Sequence, residues 1–312
     1  MNIFFVVLGI FAGLTVLFAV AALILFFCIF TRDKNPLKNS KLESYEPYKK
    51  AVAEGEKFWD SLNPETFFIK NGKTELKCEF YFCGSDKSVV LPHGYHSDCY
   101  SRSPDAEFYV KRGFNVLIYD QRAHGGSGGK FLTMGFMEKE DLLCCVSYLK
   151  KKTGGSSALF VDGISMGAAT ALLAAAKTGD LTGVIADCGY SSAYELFSYQ
   201  LKRFYRFFPF PLLNFLNMWC RIIAKFNLRD ASPLKYAHKI AAPVLLIHGG
   251  KDDFVPKYMA DKIFAALRCK KDLCISEKSG HALSRIEERE RCEKKIGEFL
   301  DEALTDRMRS EL

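Results

Sequence analysis

The chain has 312 residues and a net charge of +7, and 49% of its residues are hydrophobic. This composition is ordinary for a globular protein, and the length suffices for one large α/β domain or two small ones. Beyond the N-terminal region the basic residues are spread along the chain without a compact cluster, so no nucleic-acid partner is expected. The 11 cysteines are irregularly spaced, which favours free thiols in a reducing compartment over a disulfide framework.

The N-terminal segment from Ile3 to Phe30 contains no charged residue. About 20 apolar residues cross a bilayer, so residues 1–30 are predicted to form a transmembrane anchor. A secretory signal peptide is the alternative, but the apolar segment is too long and lacks both a preceding basic residue and a small-residue cleavage site. Lysine and arginine follow the segment and none precedes it, so the positive-inside rule predicts a single-pass protein of the cell membrane with its main domain in the cytoplasm.

Residues 31–60 are polar and are predicted to form a tether followed by a short helix from Tyr48 to Trp59. From residue 61 to 312, short apolar segments alternate with longer helical patterns, which predicts one doubly wound, mostly parallel sheet with helices on both faces. Asn71-Gly72 is a hairpin signal, so the sheet is predicted to begin with an antiparallel pair. The eight predicted strands are 66–70, 74–82, 87–92, 114–119, 157–162, 183–188, 243–248 and 272–277. The predicted helices are 136–152, 165–178, 257–268 and 282–304.

Polar side chains follow several of these strands, at the point where each strand ends. Ser165 follows the strand 157–162, Asp252 follows 243–248, and His281 follows 272–277. In a parallel sheet the carboxyl ends of the strands share one edge, where ligands usually bind. The sequence therefore brings a serine, an aspartate and a histidine to the same edge of the predicted sheet.

The serine lies in GISMG, residues 163–167, between an apolar strand and an alanine-rich helix. A sharp turn from strand to helix forces the serine into a strained backbone conformation, and its neighbours two positions away must be small, as Gly163 and Gly167 are. The following helix directs backbone N–H groups and its positive dipole end toward the serine, where an anionic tetrahedral intermediate would be stabilised. A glycine-rich turn with an incidental serine is the alternative.

Four features together resemble the α/β-hydrolase fold family: the order Ser, Asp, His, the His-Gly pair after an early strand, the loop DQRAHGGS, and HGGKDDFVP. The likeness is to bacterial membrane-anchored serine hydrolases of the acylaminoacyl-peptidase and esterase branch, and it covers about residues 65–305. It implies an eight-stranded sheet of the α/β-hydrolase type, a Ser-His-acid triad and an oxyanion hole of backbone N–H groups. It also implies that no metal and no organic cofactor is needed.

Carried onto this chain, the resemblance makes Ser165 the nucleophile, His281 the base and Asp252 the acid, with oxyanion donors at the N–H groups of Tyr95 and Met166. Serine needs a base to take its proton, and histidine suits this role because its pKa lies near neutrality. Two other carboxylates, Asp253 and Asp187, stay open as the acid. The other candidate bases are His93, His96, His124 and His248.

Residues 191–239 form a longer insertion between two strands than a simple crossover needs. Its aromatic and basic sequence is similar to the helical cap that covers the active site in this fold, so it is predicted to form the apolar wall of the acyl pocket; packing on the domain body alone is the alternative. The glycines at 125–129 do not match a phosphate-binding loop. His93, His96 and Cys99 lack a fourth ligand for zinc.

The sequence thus predicts a membrane-anchored serine hydrolase that cleaves an acyl ester-type bond of a small-molecule or lipid-derived substrate through an acyl-enzyme. A serine peptidase of the acylaminoacyl-peptidase kind and a thioesterase are alternatives. So are a catalytically silent hydrolase-fold protein and an anchored binding protein that uses Gly9 and Gly13 to pack against other membrane helices. The oligomeric state does not follow from the sequence.

Overall fold

A computed structural model describes residues 3–32, 42, 44–155 and 158–310. Eight strands form one mixed sheet in the order β1-β2-β4-β3-β5-β6-β7-β8. Strands β1 and β2 form the predicted antiparallel hairpin around Asn71 and Thr74, β2 is antiparallel to β4, and the remaining pairs are parallel. The strands are β1 Glu65–Asn71, β2 Thr74–Tyr81, β3 Lys87–Pro92, β4 Asn115–Tyr119, β5 Ala158–Ile164, β6 Gly183–Asp187, β7 Val244–Gly249 and β8 Lys271–Ser276.

Helices cover both faces of the sheet, because the central strands β4 to β7 are apolar on both sides and must be buried on both. One core lies between the sheet and α4, α5 and α9, and the other between the sheet and α2, α3 and α11. The helices are α1 Ile3–Phe30, α2 Glu46–Ser61, α3 Ser103–Lys111, α4 Glu138–Lys152, α5 Met166–Ala175, α6 Ala193–Tyr205, α7 Leu212–Ile223, α8 Pro233–Tyr236, α9 Tyr258–Ala266, α10 Ser284–Glu287 and α11 Arg289–Ser310.

The predicted eight-stranded α/β fold is confirmed, and the sheet is mixed because its first hairpin pairs with β4 in the antiparallel sense. The predicted helix at 282–304 is two helices, α10 and α11, separated at Glu288. Helix α3 is absent from the sequence-based predictions. The predicted tether falls mainly on residues 33–41 and 43, which lie outside the described residues.

Among the described residues, one helix is long and apolar enough to cross a membrane, and this helix is α1. Its second half packs against the insertion between β6 and β7: Ala22, Phe26 and Phe30 are completely buried in a cluster with residues of α6 and α7. The indole N–H of Trp219 in α7 donates to the carbonyl of Ala19 at 2.8 Å. The last turns of α1 are therefore part of the main domain's packing, and the insertion and α1 together form one apolar layer above the sheet.

Candidate active site

Ser165 lies on a sharp turn between β5 and α5. Its backbone has φ 54° and ψ −115°, a region that residues with a side chain rarely adopt. A Cβ atom added at Gly163 would overlap the carbonyl of Gly167, and one added at Gly167 would overlap that of Pro92. The two glycines are thus required by the close approach of the backbone, as the sequence pattern predicts, and the turn carries the serine hydroxyl beyond the end of the sheet.

The three side chains that the sequence singles out lie in one hydrogen-bonded chain. The Oγ atom of Ser165 is 2.9 Å from Nε2 of His281, and Nδ1 of His281 is 2.7 Å from Oδ2 of Asp252. The other oxygen of Asp252 accepts the backbone N–H groups of Phe254 and Val255, at 3.0 and 2.7 Å. These bonds fix the carboxylate, which in turn selects the tautomer of His281 that has a proton on Nδ1 and an acceptor at Nε2.

The two other candidate carboxylates have different surroundings. Asp253 is exposed, and its backbone carbonyl accepts a hydrogen bond from the hydroxyl of Tyr199 at 3.1 Å. Asp187 is buried, and one of its oxygens is 3.2 Å from Nε of Arg285. Its backbone carbonyl accepts the N–H of Ser165 at 2.8 Å, so this residue supports the serine turn.

The rings of His93, His124 and His248 bind backbone groups of neighbouring loops, whereas the ring of His96 stacks on that of Tyr95. Nε2 of His93 accepts the backbone N–H of Gln121 at 2.9 Å, and Nε2 of His124 accepts the backbone N–H of His96 at 3.1 Å. His248 is 2.8 Å from the carbonyl of Val255, to which its ring N–H donates. Burial lowers the pKa of His93 and of His124, which keeps both rings neutral and able to accept these bonds. Their positions suit them to hold the loops around the site.

Cys188 is a neighbour of the triad candidates that the sequence analysis does not identify. Its sulfur, a carboxylate oxygen of Asp252 and a ring nitrogen of His281 all lie within 4.8 Å of one another. The backbone of Cys188 is in the left-handed region with φ 47°. Burial opposes a charge on His281, but Cys188 and the Asp252 carboxylate outweigh it and hold the pKa of the imidazole well above its ordinary value of 6.5. The arrangement therefore stabilises an imidazolium beside Ser165.

A buried ion network lies behind these residues and connects the strands that carry them. Arg285, four positions after His281, places its guanidinium 2.7 Å from both carboxylate oxygens of Asp162 on β5 and 2.9 Å from Asp105 on α3. Asp162 also accepts a hydrogen bond from Arg102 at 3.2 Å. Burial opposes ionisation of Asp162, yet the two guanidinium groups hold the pKa of this carboxyl below its usual range. The network fixes the His281 loop to the end of β5.

The loop after β3 runs beside Ser165. A Cβ atom added at Gly94 would lie 3.6 Å from the Cβ of Ser165, so Tyr95, the next residue, is close to the serine. Met166 is the first residue of α5, where a backbone N–H has no acceptor within its own helix. The two expected oxyanion donors therefore lie on the segments that flank the hydroxyl. The side chain of Tyr95 reaches α1, where its hydroxyl donates to the carbonyl of Ile29 at 2.9 Å.

An apolar cavity of about 530 Å³ opens at Ser165. This volume is in the range of ligand pockets. The predicted cap forms much of its wall. Tyr95 and Met166 of the oxyanion segments and Leu25, Cys28 and Ile29 of α1 also contribute to the wall. The α1 contribution has no counterpart in the sequence-based predictions. The wall from the cap consists of Leu196, Phe197, Gln200, Leu201, Tyr205, Phe207, Leu213 and Leu216.

Comparisons with known proteins identify the family of the chain. Residues 100–307 match the model of the prolyl oligopeptidase family, Peptidase_S9. A relative from Bacillus subtilis (strain 168), the uncharacterized protein YqkD, is 37% identical over 216 residues, which are 69% of this chain and 71% of the relative.

Solved structures of similar fold include two enzymes with different named activities. The esterase Pf2001 of Pyrococcus furiosus has a TM-score of 0.66 and 25% identity, over 88% of this chain and 98% of that one. The acylaminoacyl peptidase of Pyrococcus horikoshii has a TM-score of 0.58 and 21% identity, over 76% of this chain and 40% of that one. From the family match, the relative and the shared fold, the chain belongs to the prolyl oligopeptidase family and is a serine hydrolase with the α/β-hydrolase fold.

Proposed function

We propose that the protein hydrolyses acyl esters with an apolar acyl group, through a triad of Ser165, His281 and Asp252 and a covalent acyl-enzyme. The observation that carries the proposal is the hydrogen-bonded chain of these three residues at the end of an apolar cavity. Such a cavity suits an acyl chain, because each buried methylene group contributes about 0.8 kcal/mol to binding.

The chemistry follows from the positions of the protons. Neutral His281 accepts the proton of Ser165 at Nε2 while the serine oxygen attacks the ester carbonyl. The resulting oxyanion accepts hydrogen bonds from the N–H groups of Met166 and Tyr95, and Asp252 stabilises the imidazolium. His281 then returns the proton to the departing alkoxide. Water repeats the sequence on the acyl-enzyme and releases the carboxylic acid and free Ser165.

The experiment is labelling and turnover of the full chain in lipid nanodiscs. A fluorophosphonate probe should label Ser165, and p-nitrophenyl esters should be hydrolysed. Ser165→Ala should abolish both, whereas Ser147→Ala, a change on the exposed surface of α4, should abolish neither. An unlabelled protein without esterase activity would instead support the silent, ligand-binding alternative.

Peptide hydrolysis is the second candidate function, and the match to the prolyl oligopeptidase family supports it. Peptide anilides and acylated amino-acid anilides tested beside the ester series distinguish the two. A higher kcat/KM for the anilides than for every ester would identify a peptidase.

We further propose that α1 anchors the protein in the cell membrane with its catalytic domain in the cytoplasm. Support comes from the apolar length of α1 and from Arg32 and the lysines that follow it. In a Cys28→Ser variant, exposed Cys83 serves as a probe. An impermeant maleimide should label Cys83 only after the cells are permeabilised. Labelling of Cys83 in intact cells would instead place the catalytic domain outside the cell.

A further inference from the structure

Three residues of α1 line the cavity that opens at Ser165: Leu25, Cys28 and Ile29. Cys28 and Ile29 lie three and four positions after Leu25, so the three residues occupy one face of the helix. Phe27 lies on the other side of the same turn and is 46% exposed. The helix that resembles a simple anchor thus has one face that belongs to the cavity and another that faces outward.

The cavity also extends to the place where the cap meets α1. Tyr205 and Phe207 line the cavity at the end of α6, and both are exposed, by 75% and 41%. The ring of Phe207 lies 6.4 Å from that of Phe18 on α1. An acyl chain bound at Ser165 and extended through the cavity therefore runs along α1 toward this edge of the cap.

The length of α1 indicates where this edge lies relative to a bilayer. A helix of 28 residues is about 42 Å long, and a bilayer core is about 30 Å thick. Only about 12 Å of α1 then extends beyond the core, whereas Phe18 is about 18 Å from the C-terminal end. If α1 spans the bilayer, the contact of Phe207 with Phe18 lies at the level of the lipids, not in the aqueous phase.

We infer that the last turns of α1 form one wall of the acyl-chain site, and that a long-chain ester enters this site from the bilayer alongside α1. This inference rests on the proposed esterase function, and it adds Leu25, Cys28 and Ile29 as residues that determine chain-length specificity. On this proposal a short acyl group stays near Ser165, whereas a long chain extends along the α1 wall of the cavity.

Cys28 provides a direct test, because its thiol is exposed and lines the cavity. The full chain in nanodiscs is first treated with a phosphonate that carries an ethyl or a dodecyl chain on the phosphorus bound to Ser165. N-ethylmaleimide is then added, and alkylation of each cysteine is followed by mass spectrometry. The dodecyl adduct should slow alkylation of Cys28 about tenfold relative to the ethyl adduct, since a chain buried against the thiol must leave first. The exposed Cys83 serves as the internal reference.

A pair of matched variants tests the same wall by turnover. Leu25→Trp should lower the ratio of kcat/KM for dodecanoate to that for acetate about tenfold, because the indole occupies the space of the chain. Phe27→Trp, on the outward side of the same turn, should leave this ratio unchanged. Equal ratios in the two variants, or equal alkylation of Cys28 under both adducts, would overturn the placement of the chain.

The route from the bilayer is tested by surface dilution. With the bulk concentration of a long-chain ester held constant, more inert lipid in the nanodiscs or vesicles lowers its concentration in the bilayer and should lower the rate in proportion. A rate that depends only on bulk concentration would overturn entry alongside α1. Failure of Ser165 labelling and of all ester turnover would reject the esterase function itself, whereas a labelled serine with unprotected Cys28 rejects only this inference.

Discussion

The hydroxyl of Tyr95 donates a 2.9 Å hydrogen bond to the backbone carbonyl of Ile29, and so joins the loop beside Ser165 to the last turn of α1. Carbonyls in the last turn of a helix lack partners within the helix, so this donor also caps α1. Arg32, just after α1, donates to the carbonyls of Gly125 and Ser127 in a second loop near the site. The position of the expected oxyanion donor thus depends on the docking of α1.

Tyr95→Phe removes only the hydroxyl and should lower kcat/KM for acetate esters about three- to tenfold, the kinetic equivalent of one hydrogen bond. Tyr194→Phe is the matched control, because the hydroxyl of Tyr194 bonds to Asn214 on the exposed surface of the cap. Steady-state kinetics of both variants in the same nanodiscs provide the comparison. Identical kinetics would show that the bond to Ile29 does not position the loop.

Asp252→Asn should lower kcat on the order of 10⁴-fold, the loss that the serine-protease triad shows for this change. The amide keeps the shape of the side chain but favours the wrong tautomer of His281. Asp253→Asn, next to it on the exposed side of the loop, should retain most activity. The reverse order of effects in ester hydrolysis would assign the acid to Asp253.

The fold is predictable from the sequence because the central strands are fully apolar and are separated by helical patterns. Each of the eight strands lies within one or two residues of its predicted position. The three triad candidates are predictable for a related reason: they follow β5, β7 and β8, whose carboxyl ends meet at one edge. Local pattern and sheet topology suffice for both inferences.

The contacts of α1, in contrast, are not predictable from the sequence. The segment is apolar on every side, so its sequence does not distinguish the face that packs on the cap from the face that points outward. Nor does a pattern of neighbouring residues connect Cys188 to His281, or Arg285 to Asp162, since these pairs are far apart in the chain and meet only in the folded structure. The sequence shows an arginine shortly after His281, but its burial and its carboxylate partners are visible only in the structure.

The pH dependence of kcat/KM should have its ascending limb above pH 6.5, because catalysis needs neutral His281 and its pKa is raised well above that value. Burial keeps Cys188 a neutral thiol, whose sulfur favours the imidazolium as a hydrogen-bond acceptor, so Cys188→Ala should move the limb toward lower pH. Cys145→Ala, in the core between α4 and the sheet, should leave the limb in place. A wild-type limb at or below pH 6.5 would contradict the arrangement around His281.

The same raised pKa affects stability, with a sign that follows from proton binding. The folded protein binds the proton of His281 more tightly than the unfolded chain does. The resulting stabilisation is fully present below the unfolded pKa of about 6.5 and declines as the pH rises through the higher folded pKa. The free energy of unfolding of the inactive Ser165→Ala variant, measured between pH 6 and pH 9, tests this decline without interference from turnover.

Arg285→Met should destabilise the fold by about 3–5 kcal/mol, because it leaves Asp162 with only one of its two guanidinium partners and removes the guanidinium beside buried Asp187. Arg289→Met removes an ion pair with Glu293 on the protein surface and should cost about 1 kcal/mol or less. Chemical unfolding of both variants in mild detergent measures the difference. Equal stabilities would mean that the network contributes no more than a surface pair.

The tip of the cap is predicted to lie in the lipid surface next to α1. Phe208 and Phe210 are 70% and 65% exposed, and they follow a helix end that carries lysine and arginine, a combination that favours an anionic membrane interface. An environment-sensitive fluorophore attached at Phe208→Cys, with the exposed Cys28 and Cys83 replaced by serine, should emit at shorter wavelength and be quenched by spin-labelled lipids in nanodiscs. The same fluorophore at Lys111→Cys, an exposed position on α3, is the reference for water. Because the contact between Phe207 and Phe18 fixes the height of the cap along α1, an unquenched probe at position 208 would place the cap above the bilayer.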